Sequence, residues 1–212
     1  MSIVNPTSGA EQRVTLGNVA WETYVDLCEN ARNPRGRLTY DQGELEIMSP
    51  SYLHENAGRL IGRMIEMYTF HHKIEIHSSK STTFKRHKKL KGFEADESYF
   101  ISHASAMQGV SEINLEIHPP PDLAIEVDIS RSSHLKMRVF AGLGVSEVWR
   151  YDGEKLKVHR LFGDGYELSP SSVELPGFPL GLANELLVRR SELSEHAVIA
   201  KFVGSFLTPF FS

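Results

Sequence analysis

A chain of 212 residues with 41% hydrophobic and 24% charged side chains has the size and balance of one folded domain, which excludes a multi-domain machine, a disordered chain and a fibrous repeat. Twenty-three basic against twenty-seven acidic side chains give a net charge of -4, so bulk charge does not make this a coat for nucleic acid, although a local basic face remains open to it. One cysteine, Cys28, excludes an intrachain disulfide, and the lack of both a basic-then-apolar N-terminal pattern and an apolar run of ~20 residues leads us to expect a cytoplasmic protein with no membrane span.

Residues 1–15 are polar and are expected to be flexible. Between Asn18 and Asn30 the positions Val19, Trp21, Tyr24, Val25, Leu27 and Cys28 predict a short amphipathic helix, ended by Asn33, Pro34, Arg35 and Gly36. Leu38 to Tyr40 and Glu44 to Met48 alternate like strands about Asp41-Gln42-Gly43, which predicts a hairpin. The period then becomes helical, with Leu60, Ile61, Met64, Ile65 and Tyr68 on one stripe between His54 and His71. Strand signals return at Ile74 to Ile76, at Thr82 to Phe84 and at Phe93 to Ile101, the last read as one strand. Within this region Lys80, Lys85, Arg86, His87, Lys88, Lys89 and Lys91 form the most basic segment of the chain, either a solvated hairpin tip or a grip on nucleic acid.

A polar helical stretch to Val110 and the run Pro119-Pro120-Pro121 lead into Asp122 to Ile129, the most apolar strand and therefore the expected central one. Ser132 or Ser133 can cap the next helix, whose apolar face is Leu135, Val139, Phe140 and Leu143 and which Gly142 and Gly144 end. Val145 to Tyr151 and Leu156 to Leu161 pair about Asp152-Gly153, Gly163-Asp164-Gly165 turns again, and Pro176 to Pro179 closes the sheet region. In the tail, Val198, Ile199, Phe202, Val203 and Phe206 follow helical spacing ahead of Phe210 and Phe211, giving a face for its own domain or for a second copy. The order predicts a mixed α/β domain over residues 16–188 with one three-layer core, and an amphipathic helical tail over 189–212.

No phosphate-cradling glycine loop, cysteine-based zinc spacing, nucleophile elbow or His-Glu-x-x-His helix occurs, so enzyme classes with those signatures drop out. What remains is acid on strands that should be buried. Glu126, between Ile125 and Val127, needs a cation or a place at the sheet's open end, because a lone buried charge costs on the order of several kcal/mol. Asp122 and Asp128 share its face in a regular strand, and three carboxylates there require basic groups or a divalent ion, for which hard oxygen ligands suit magnesium or manganese. The other reading has Asp122 and Asp128 ending the strand in solvent. Asp96 on a neighbouring strand can bring a second carboxylate to the same ion or can face water at an edge. Lys136 can fold back over the acidic strand from the following helix or can remain solvated.

Gly43-Glu44-Leu45 leading to Met48-Ser49-Pro50-Ser51 and His54, Glu94-Ala95-Asp96, Pro121 to Val127, Lys136, and Ala141 to Arg150 together resemble the Uma2 family, over about Trp21 to Leu187. Each motif is weak alone; their order is specific. That family lies in the PD-(D/E)XK superfamily, so the resemblance implies a restriction-endonuclease-like α/β fold, a mixed β-sheet flanked by helices, and attack of metal-activated water on a phosphodiester. It implies that Asp96 and Glu126 hold Mg2+ or Mn2+. Asp128 stands two places after Glu126, where the superfamily has lysine, and the resemblance assigns that lysine's role to Lys136. His54, in preference to Glu55, becomes the site residue of the first long helix. The expected function is a metal-dependent endodeoxyribonuclease, with the Lys80 to Lys91 segment on the DNA backbone and a homodimer as the expected assembly. The alternative is a catalytically degenerate nuclease-fold module that binds nucleic acid or a protein partner.

Overall fold

Gln42 and Gly43 both adopt positive φ, 50° and 102°, the conformation whose twist matches a tight hairpin, and they join β2 (Arg37–Asp41) to β3 (Glu44–Ser49). The structure is a computed structural model that describes residues 11–30, 36–129 and 134–207. β1 (Gln12–Leu16) pairs antiparallel with the free edge of β3, so residues 12–15, expected to be flexible, are held in a sheet. β5 (Thr83–Arg86) and β6 (Lys91–Glu94) complete five antiparallel strands in the order β1-β3-β2-β6-β5. α1 (Trp21–Glu29) covers this sheet by packing Tyr24 on Leu38, Tyr40 and Leu45. Gly92 makes that approach possible, because a Cβ there would collide with the Tyr24 ring and hydroxyl.

A second sheet contains β4 (His77–Ser78), β7 (Glu97–Phe100), β8 (Leu123–Val127), β9 (Glu147–Tyr151), β10 (Leu156–Phe162) and β11 (Gly165–Ser169), in the order β11-β10-β9-β8-β7-β4. Only β8 and β9 run parallel, and α3 (His134–Leu143) makes the crossover that a parallel pair requires. The acidic strand β8 is internal, as its apolar run predicts. The expected single core sheet is therefore two sheets, and the expected continuous strand from Phe93 to Ile101 is cut between them. β6 ends at Glu94 in the first sheet, β7 starts at Glu97 in the second, and Ala95-Asp96 is the crossing. The cut has an identifiable cause: the Asp96 side chain accepts a hydrogen bond from the Val127 amide at 2.7 Å, occupying a donor that a continuing strand would have engaged with its backbone.

α2 (Tyr52–His72) lies on the second sheet, with Leu60, Ile61, Met64 and Ile65 packed against Tyr99, Leu123, Ile125, Val127 and Trp149. Each such buried side chain contributes about 1.5–3 kcal/mol. α4 (Leu180–Val188), which the sequence pattern does not announce, and α5 (Glu195–Gly204) join the same core through Leu186, Leu187, Val198, Ile199 and Phe202. The tail's apolar face is thus spent within its own chain. On the opposite side, α3 fills the space between the sheets with Val139, Phe140 and Leu143 against Phe84, Phe93, Phe100, Ala124 and Val148.

The strand signal at Ile74 to Ile76 is displaced. Ile74 and Ile76 pack on the core, and only His77 and Ser78 pair with β7. The polar stretch before Val110 forms a single short 3-10 turn, Ala104–Met107. The helix stop at 33–35, the cap candidates Ser132 and Ser133, and Phe210 and Phe211 lie outside the described residues. Among the described residues no helix is long and apolar enough to cross a membrane.

Candidate active site

β7 pairs with β8 so that Glu97 faces Ile125, and one further step along that register sets Asp96 against Glu126. Asp96 thus stands at the joint between the sheets, not mid-strand as the sequence suggests. Its Oδ1 lies 2.9 Å from Arg37 Nε on β2, and its Oδ2 lies 3.3 Å from His54 Nε2 in the first turn of α2. Ser51 fixes where that helix begins, its hydroxyl accepting the His54 amide at 3.2 Å. His54 is fully buried, and Gly58 one turn later brings the helix close enough that a Cβ there would be 3.7 Å from Asp96 Cβ. Glu55 stays at the rim: it is half exposed and reaches Asp96 only through Arg37, with which it pairs at 2.7 Å.

Lys136 is not solvated. Its Nζ stands 2.9 Å from Glu126 Oε1 and 2.7 Å from Oε2, with both side chains almost completely buried. Burial pushes the Glu126 carboxyl well above the usual carboxylate range; the Lys136 ammonium opposes this, and the nearby Asp96 and Asp128 reinforce it. Burial would lower Lys136, but the Glu126 and Asp96 carboxylates outweigh it and hold the ammonium above its ordinary value. The three groups the sequence singles out, Asp96, Glu126 and Lys136, are therefore neighbours in one buried cluster.

The other two acids of β8 behave differently. Asp128 Oδ2 accepts from Arg150 Nη2 at 2.6 Å and Nε at 3.1 Å, while its Oδ1 lies 3.4 Å from Arg13 Nη2 of β1. Asp122 accepts the amides of Ile101 at 2.7 Å and His103 at 2.9 Å and contacts the His103 ring. The acids of this face are each neutralised separately, by basic groups and backbone donors, and neither Asp122 nor Asp128 faces water as a simple strand end. Among the described residues no group of three or more His, Cys, Asp or Glu side chains is arranged to hold a metal ion.

Two carboxylates nevertheless leave acceptors unspent. Asp96 Oδ1, Glu126 Oε2 and both ring nitrogens of His54 are buried without a well-formed hydrogen bond; Arg37 and Lys136 approach the two oxygens in charge but not in alignment. Buried orphan oxygens on β8 and on the neighbouring link fit a hard divalent cation in donor type, and buried polar atoms left without partners require some occupant or strain to account for them.

The basic segment is mostly occupied with the fold. Lys85 pairs with Glu29 at 2.7 Å, Arg86 donates to the Leu115 carbonyl at 2.7 Å, Lys88 is 3.9 Å from Glu116, Lys89 donates to the Gly142 carbonyl at 2.5 Å, and Lys91 pairs with Asp41. His87 packs its ring on Trp21 at 5.7 Å. A cavity of about 400 Å3 opens beside Asp96 and His54, and its wall includes Arg37, Tyr52, Arg59 and Lys80. Sequence reasoning missed Arg37, Arg13 and Arg150. The one signal for them is that a buried carboxylate needs a cation, and that requirement does not say which strand supplies it.

The Uma2 family model, described as "Putative restriction endonuclease", matches residues 21–189. Among solved structures the chain is similar to one described as "a putative nuclease belonging to DUF820" from Anabaena variabilis, at 15% identity and a TM-score of 0.55, covering 87% of this chain and 99% of that one. That likeness bears on the fold alone. No curated protein matches the chain.

Proposed function

We propose, from the premise that the chain belongs to the Uma2 family, that it is a metal-dependent endonuclease that hydrolyses phosphodiester bonds of DNA. The observation that supports this most directly is the meeting of Asp96, Glu126 and Lys136 in one buried cluster, of which Asp96 lines a cavity. Asp96 and Glu126 are the residues that would hold Mg2+ or Mn2+. Such an ion, when bound, lowers the pKa of a water and offsets charge that builds on the phosphoryl group.

The chain's own groups do the rest. Lys136 keeps the Glu126 carboxylate oriented from the α3 side and places a fixed positive charge where the reacting phosphate gains negative charge. Arg37 does the same beside Asp96 and is available to a phosphate oxygen at the cavity wall. His54 positions Asp96 from the helix side. Asp128, engaged with Arg150 and Arg13, takes no part in proton handling, which is why the cationic role falls to α3.

Plasmid nicking in magnesium or manganese tests the reading. Glu126→Gln and Asp96→Asn should each lower nicking at least about 100-fold, the range seen when one electrostatic contributor to a transition state is removed. Full activity in either variant would refute the assignment. The second reading, a nuclease-fold module without catalysis, draws support from the ammonium that faces both Glu126 oxygens and from the lack of a three-ligand group among the described residues. Calorimetry with manganese separates the two: heat of binding that Glu126→Gln abolishes favours the enzyme, and no heat at all favours the module.

A further inference from the structure

The cavity beside Asp96 carries features that the hydrolytic cluster does not use. Among the described residues Lys80 makes no ion pair, while Lys85, Lys88 and Lys91 of the same basic segment pair with acids and Arg86 and Lys89 donate to backbone carbonyls. Its charge is felt at a distance by Glu97, whose carboxyl it lowers against the effect of burial. Lys80 is also the cation of that segment that lines the cavity. Its backbone is held in an uncommon state, φ 46° in a non-glycine residue, and its carbonyl is fastened by the hydroxyl of fully buried Ser98 on β7 at 2.7 Å. A strained position bolted to the strand that follows Asp96 is the kind of conformation that persists where a side chain must be aimed.

Tyr52, the first residue of α2, lines the same cavity with 78% of its surface exposed. An aromatic ring left in water in the same wall as an ammonium that makes no ion pair among the described residues matches the two elements by which proteins hold single-stranded nucleic acid, a stacking platform and a cation on the backbone. Size points the same way. A volume of about 400 Å3 is at the small end of ligand pockets, ~300–1,000 Å3, and offers room for about one nucleotide.

We propose that this cavity takes a single nucleic-acid strand, with one base stacked on Tyr52 and a neighbouring phosphate on Lys80, so that the protein prefers single-stranded or frayed DNA to closed duplex. The inference rests on the nuclease reading for the choice of a nucleic-acid ligand and deepens it by naming the substrate class.

The test is fluorescence anisotropy in EDTA, where binding is measured apart from cleavage, with an end-labelled oligothymidine and with the same strand closed by its complement. The single strand should bind at least tenfold tighter than the duplex. Tyr52→Ala should weaken it about tenfold while Tyr52→Phe keeps it, as expected of stacking. Lys80→Gln should reduce the salt dependence by about 0.7 in slope, one phosphate contact to a single strand. Lys88→Gln, an exposed lysine elsewhere on the segment, should change neither quantity. Duplex binding as tight as single strand, no measurable binding by the wild type, or affinity unmoved by both Tyr52→Ala and Lys80→Gln would each overturn the inference. A protein that binds the strand through these two residues yet never nicks plasmid sinks catalysis and supports the subsite; one that nicks without binding the strand does the reverse.

Discussion

Lys136 on α3 and Glu126 on β8 face each other inside the protein, the ammonium 2.7 and 2.9 Å from the two carboxylate oxygens, with 2% and 1% of their side-chain surface exposed. Removing one partner strands the other's charge in a medium that cannot solvate it. Lys136→Met should therefore destabilise the fold by about 3–5 kcal/mol, and the double variant Lys136→Met/Glu126→Leu should recover most of that loss. Urea denaturation measures both. A single-variant loss below about 1 kcal/mol would mean that the pair is neutral already.

Asp128 stands two places after Glu126 on the same face, yet it points to Arg150 and Arg13. Asp128→Lys should fail to rescue nicking in a Lys136→Ala background and should cost more than about 2 kcal/mol, since Arg150 would lose its acid and face a new cation beside Arg13. Rescue of activity would show that the side chain at 128 can reach the reacting phosphate after all.

Much of this fold is legible in sequence because the signals are local. The hairpin at Gln42-Gly43, the stripe from Leu60 to Tyr68 and the apolar run into Glu126 each depend on residues within one element. What escapes depends on partners far along the chain. The break at Asp96 exists because its carboxylate captures the Val127 amide, β1 exists because β3 offers it an edge, and Arg37 matters because β2 lies beside the joint. The place of Lys136 after the acidic strand leaves two readings and the resemblance chooses between them; its nearly complete burial against Glu126 follows from packing that no periodicity encodes.

Burial and the nearby Glu94 push the Cys28 thiol up to about 11, against the Tyr24 hydrogen bond that favours the thiolate. Because the folded value lies above the ordinary one, the folded state holds this proton more tightly; that contribution to stability is present at neutral pH and is lost as pH rises through about 11. The thiolate is the reactive species, so iodoacetamide should alkylate the folded protein at about pH 8 at least tenfold more slowly than the urea-unfolded chain. Equal rates would place the thiol in water.

Gly92→Ala should destabilise the protein by about 1–3 kcal/mol, the usual cost of forcing atoms into a filled core, because the new methyl group meets the Tyr24 ring and hydroxyl. Tyr24→Leu in the same background should return part of the loss. Thermal melts of the two single variants and the double variant decide it, and full additivity would show that the two positions do not touch.

The handover at Ala95-Asp96 makes the cluster a seam between layers. Glu126 is anchored in one sheet, Arg37 in the other, and Asp96 in the two-residue link that passes from one to the other. The Asp96 carboxylate is itself fastened to the Glu126 strand through the Val127 amide, so the Arg37–Asp96 contact is where any shift of one sheet against the other would be felt first.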